Sequence, residues 1–188
     1  MSMTRRLGLG ALALGLAAPF AGSPYRKPRA ALDLDAVTRA IADGSDHVSA
    51  RQLARWIRDR RPGLRVIDVR SARAFADFAI PTAENVPIER LAQAGFAPGG
   101  TIVLYSEEGA HAGQAWVILR ALGITNAVFV PGGLADWRDE VMSPAVGGMP
   151  QGEREEVIEL RHYFGGSPRL DANQGAQGAE APLRRRGC

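Results

Sequence analysis

The segment Ser106-Glu107-Glu108-Gly109-Ala110-His111 gathers a hydroxyl, two carboxylates and an imidazole within six residues, directly after the apolar run Thr101-Ile102-Val103-Leu104-Tyr105. Three chemistries fit such a set. Ser106 with His111 as base is the pairing a hydrolase or phosphate-handling enzyme uses, provided the two come within hydrogen-bond reach, although no carboxylate that would orient His111 is identifiable from spacing. Glu107, Glu108 and His111 are donor types that hold metals, but one His beside two acids reads more simply as a solvated loop, so neither metal nor cofactor is expected. Finally, a short loop feeding a helix N-terminus turns successive backbone N–H groups inward. Such a cradle suits an anion and lowers the pKa of a thiol placed in it.

A strand before this loop and a helix after it must position it. Thr101 to Tyr105 carries the strongest strand pattern in the chain, and Ala115, Ile118, Leu119 and Leu122 mark an amphipathic helix that Gly123 ends. Upstream, Ser49 and Gln52 form a capping box for a helix with the apolar stripe Leu53, Trp56 and Ile57, which stops before Pro62-Gly63. Val66, Ile67 and Val69 are β-branched and closely spaced, as in a strand buried on both faces, and this strand opens into a loop at Asp68 to Ser71. Val128 to Val130 gives a further strand, closed by Pro131-Gly132-Gly133. Strands alternating with helices in this way predict an α/β fold with a mostly parallel central sheet and helices on both faces. Ligands of such sheets bind outside the carboxyl ends of the strands, where Ser106 to His111 falls. Trp56, Trp116 and Trp137 are assigned to packing, and His47 and His162 carry no chemical signal.

The 188 residues allow one core with extensions. Residues 1–30 read as a signal peptide or N-terminal anchor with a basic linker, and 31–46 as a docking helix with Leu34, Val37 and Ile41 at helical spacing. The domain spans 47–143, a helix bearing Val157, Leu160 and Phe164 packs back on it within 144–166, and 167–188 form a disordered tail. Arg5 and Arg6 followed by the uncharged Leu7 to Gly22 match the start of an export signal, and this 16-residue run is short for a membrane span. Periplasmic or other export is therefore the expected address, by the general or the twin-arginine route, with an uncleaved anchor and peripheral membrane association as the alternative.

The formal charge of +3 misplaces the molecule, because eight of the 23 basic residues lie at the two ends. The remaining 15 face 20 acidic residues, so the body is acidic and offers no footprint for nucleic acid. Cys188 is the only cysteine, which excludes an intramolecular disulfide framework and any multi-cysteine metal site. At the end of a tail it is either an incidental thiol or the means to a disulfide-linked dimer.

Four stretches in order resemble the rhodanese family: Asp68-Val69-Arg70, Ile80-Pro81 followed by Ala83, Asn85 and Pro87, the loop from Ser106 to His111, and Gly132-Gly133 with Trp137. The resemblance implies a rhodanese-like fold, with a catalytic cysteine at the position of Ser106 and commonly an arginine at that of His111. Phe78, Ala79 and Thr82 also depart from the family pattern. The family reaction is attack of the loop thiolate on a sulfur donor such as thiosulfate to give a persulfide. A thiol is brought from ~8.5 into the range of about 3.5 to 7.5 by such a loop, whereas a hydroxyl is too weak an acid to ionise there and forms no persulfide. Glu107 and Glu108 add repulsion of an anionic donor, about 1 to 4 kcal/mol for unit charges a few Å apart. The expected function is thus a binding or regulatory module without sulfurtransferase activity, its partner an unknown small anion or protein. Asp68 and Arg70 are read as supporting the loop. A sulfur carrier working through Cys188 or a partner's cysteine, and a Ser106/His111 hydrolase, are the alternatives.

Overall fold

The computed structural model describes residues 32–97 and 99–167. The expectations for the N-terminal segment, the tail beyond Ser167 and Cys188 lie outside the described residues. Four strands form one parallel sheet: β1 (Leu64–Asp68), β2 (Ala83–Asn85), β3 (Thr101–Tyr105) and β4 (Ala127–Phe129), in the order β2-β1-β3-β4. Val66 pairs with Ala83 on one side and Val103 on the other, and Leu104 pairs with Phe129. Beyond β4 the chain adds a single bridge, His47 to Phe129, in which Val48 N–H donates to the Phe129 carbonyl at 2.9 Å and Phe129 N–H to that of Asp46 at 3.0 Å. This extension covers backbone groups that an edge strand otherwise leaves unpaired.

Alternation along the two central strands builds two cores. Val66, Val103 and Tyr105 point to one face, with α2 (Ala50–Arg58), the short α5 (Gly133–Asp136), the π-helix Trp137–Met142 and α6 (Gln151–Phe164). Ile67, Ile102 and Leu104 point to the other, with α1 (Leu34–Asp43), the 3-10 helix Ile88–Gln93 and α4 (Ala110–Ala121). The predicted α/β architecture with helices on both faces is the one observed, and α3 (Ala72–Asp77) completes it. Ser49 Oγ accepts from Gln52 N–H at 3.1 Å, the capping bond expected at the start of α2.

Two helical faces differ from expectation. On α4 the buried stripe is Ala112, Ala115, Trp116 and Leu119, while Ile118 and Leu122 face outward. The small Ala112 and Ala115 let the helix approach the sheet, and this sets its rotation. On α1 only Val37 is buried, and Leu34 and Ile41 are exposed. The C-terminal helix packs back as predicted, with Val157 and Leu160 buried and the Phe164 ring edge-on to Trp137 at 4.9 Å. Trp116 and Trp137 are both core residues, and Trp56 is half-buried with the Arg61 guanidinium over its ring. Among the described residues no helix is long and apolar enough to cross a membrane.

Candidate functional site

The strand order reverses between β1 and β3, so the loops leaving their carboxyl ends border the crevice where open parallel sheets take ligands. One carries Asp68 and Arg70, the other Ser106 to Gly109. A third segment, Pro131-Gly132-Gly133, closes over them. A Cβ on Gly109 would run into the Pro131 carbonyl, and one on Gly133 into the carbonyl of Ser106. Both glycines have positive φ, 84° and 58°, so backbone conformation and close approach alike require them. Leu134 N–H donates to the Ser106 carbonyl at 2.8 Å and Ala135 N–H to that of Glu107 at 3.0 Å, which ties the two loops together.

Ser106 is 1% exposed, and its Oγ accepts from Ala112 N–H at 3.3 Å. Gly109, the N-cap of α4, has no side chain to satisfy the first turn, so the Ser106 hydroxyl acts as the cap from six residues upstream. His111 lies on the exposed first turn of α4, and no hydrogen bond joins it to Ser106. The nucleophile and base pairing that spacing allowed is therefore not assembled. Glu108 and Ala110 are exposed as well. Among the described residues no group of three or more His, Cys, Asp or Glu side chains is placed to hold a metal, Glu107, Glu108 and His111 included.

Charge at the crevice centres on Arg70. Its Nε and Nη2 reach the fully buried Asp68 carboxylate, the shortest contact being 2.7 Å, while Nη2 also donates to the Phe78 carbonyl and Nη1 to Glu107 Oε2, each at 2.6 Å. The bond to Asp68, assisted by that to Glu107, raises the Arg70 pKa against the opposing effect of burial, so the guanidinium is permanently charged. Asp68 Oδ1 also accepts from Arg70 N–H at 2.9 Å, and Asn85 Nδ2 donates to the carbonyls of Asp68 and Arg70. Tyr105 accepts from Ile80 N–H at 3.1 Å, and burial, with Asp68 beside it, pushes its hydroxyl up and keeps it neutral.

Glu107 is held from a second side, where Arg138 Nη1 donates to Oε1 at 2.6 Å. Burial pushes the Glu107 carboxyl up, but the hydrogen bonds from Arg138 and Arg70 outweigh it and hold the carboxyl below the usual range. The carboxylate expected to repel anions is thus neutralised by two arginines. Arg138 has no motif around it and was invisible to spacing. The π-helix brings it to the crevice, and its guanidinium stands 5.5 Å from the Phe78 ring.

A single parallel sheet covered on both faces, with its site loop at the reversal of strand order, defines the class of protein. Residues 49–140 match the family model described as the Rhodanese-like domain. No curated protein matches the chain in sequence. The chain is similar to a human single-domain sulfurtransferase, with 27% identity, 49% of this chain and 94% of that one covered, and a TM-score of 0.45. It is also similar to a rhodanese-like domain protein from Staphylococcus aureus, with 25% identity, coverage of 50% and 93%, and a TM-score of 0.46. A rhodanese-related protein from Thermoplasma volcanium gives 25% identity, coverage of 48% and 88%, and a TM-score of 0.43.

Proposed function

We propose that this rhodanese-like domain is a binding or regulatory module that does not transfer sulfur. The observation that carries this reading is that Ser106, which the family resemblance puts at the nucleophile position, is buried and committed through its Oγ to capping α4. A hydroxyl there offers neither the thiolate that attacks a sulfur donor nor a sulfur that forms a persulfide. The neighbouring charge supports the same reading, because a donor anion would first have to displace Glu107 from Arg70, whose other donors are held by Asp68 and the Phe78 carbonyl.

The test is transfer of sulfur from thiosulfate to cyanide by the purified wild-type chain beside Ser106→Cys and Ser106→Ala. No turnover by wild type is expected. Wild-type turnover that Ser106→Ala abolishes would overturn the reading. Export remains part of the proposal, supported by Arg5, Arg6 and the uncharged run that follows. Recovery of the native chain from the cytoplasmic fraction alone would remove it.

A further inference from the structure

Glu107 does not behave as a free surface acid. Its two oxygens are each taken by a different arginine at 2.6 Å, one from the loop after β1 and one from the π-helix, and the three side chains meet at the strand-order reversal. A carboxylate gripped end-on by two guanidiniums is how proteins bind an oxyanion. Glu107 and Arg138 are nevertheless 49% and 48% exposed, and ion pairs exposed to this degree are weakly held and readily exchanged. Arg70 is different, since it is 9% exposed and fixed by Asp68 whether or not Glu107 is present. The seat therefore has one rigid wall, one mobile wall and a replaceable occupant. Phe78, 37% exposed and beside Arg138, borders it with an apolar ring. The π-helix that delivers Arg138 is a rare conformation, frequent at functional sites.

We propose that Arg70 and Arg138 form an oxyanion seat in which Glu107 is an internal ligand, displaced by a small phosphate or carboxylate group. This rests on the reading of the domain as a binding module and names the chemistry it would bind. Glu107 then keeps the seat closed at low anion concentration and sets the threshold at which an external group enters.

The experiment titrates inorganic phosphate, and separately acetate, into the full chain at ionic strength held constant with potassium chloride, with binding followed by calorimetry. Wild type, Glu107→Ala and Glu107→Ala/Arg138→Ala are compared. Removing the internal ligand is expected to tighten binding of at least one anion about ten-fold, and removing Arg138 as well to abolish that gain. The anion with the larger gain identifies the external group. Affinity unchanged in Glu107→Ala for both anions, or a gain that survives loss of Arg138, overturns the proposal. Both replaced side chains are half-exposed, and unchanged thermal unfolding of each variant verifies its fold. The titration does not involve sulfur transfer, so its failure leaves the argument from Ser106 standing, while wild-type turnover of thiosulfate would remove that argument without touching the seat.

Discussion

Two networks of arginine and carboxylate lie in this molecule, one between α2 and α6 and one at the crevice, and they do different work with the same chemical groups. Along α2, Arg51, Arg55 and Arg58 face Glu153, Glu156 and Glu159 of α6 in a ladder, with separations of 2.6 Å at the first pair, 2.8 Å for Arg55 Nη2 to Glu156 Oε2 and 3.5 Å at the last. Every member of the ladder is in contact with water. At the crevice, Asp68 is fully buried and Arg70 nearly so. Exposed pairs contribute about 0 to 1 kcal/mol each, because water already solvates both partners. A buried pair contributes little by existing but costs about 3 to 5 kcal/mol when one partner is removed, since the other charge is left desolvated. The ladder therefore selects where α6 lies, and Val157, Leu160 and Phe164 beneath it supply the adhesion. The Asp68–Arg70 pair, by contrast, is a fixed part of the site.

The sharpest break of this contrast is Asp68→Ala, expected to destabilise the chain by about 3 to 5 kcal/mol in urea unfolding. Leu160→Ala should follow at about 2 to 5 kcal/mol, because it opens a cavity under α6. Arg55→Ala should cost no more than about 1 kcal/mol, although it removes the bidentate rung of the ladder. Salt separates the two networks further. At 1 M NaCl, where the screening length falls to about 3 Å, the Arg55→Ala cost should vanish while that of Asp68→Ala persists. An Arg55→Ala cost larger than that of Leu160→Ala would mean that charge, not apolar contact, holds α6.

The sheet was legible from sequence because β-branched runs such as Val66-Ile67 and Ile102-Val103 have few other places to be buried. The position of Ser106 was legible for a related reason, since it is the first residue past the strongest strand. The rotation of α4 was not. Apolar residues line more than one of its faces, and only the small Ala112 and Ala115 reveal which one approaches the sheet. Nor could spacing show the clamp on Glu107, whose partners stand 37 and 31 residues away and meet it only after two loops and the π-helix converge. The capping duty of Ser106 was hidden in the same way, because a cap six residues upstream lies outside the local capping pattern. Its test is Ser106→Ala, expected to cost about 1 kcal/mol through the unsatisfied N–H of Ala112.

The smallest effect gives the most specific contrast, because two glutamates beside α2 shift in opposite directions. The hydrogen bond from Arg55 holds the Glu156 carboxyl below its ordinary value, against a small effect of burial. Burial, aided by Asp136 and opposed by Arg51, pushes the Glu140 carboxyl up. A depressed folded-state pKa stabilises above the unfolded value of about 4.3 and is lost as pH falls through the folded value. A raised one works in the other sense, since the folded chain binds more protons and stability falls as pH rises from the unfolded value through the folded one. Glu156→Gln should therefore destabilise at pH 7, and Glu140→Gln should stabilise there, each by under about 1 kcal/mol. Both differences should disappear well below pH 4, where all these carboxyls are protonated in either state. Urea unfolding of the two variants at neutral and acid pH measures this. Equal signs at pH 7 would show that Arg51, 3.7 Å from Glu140, compensates its burial and makes it a working rung of the ladder.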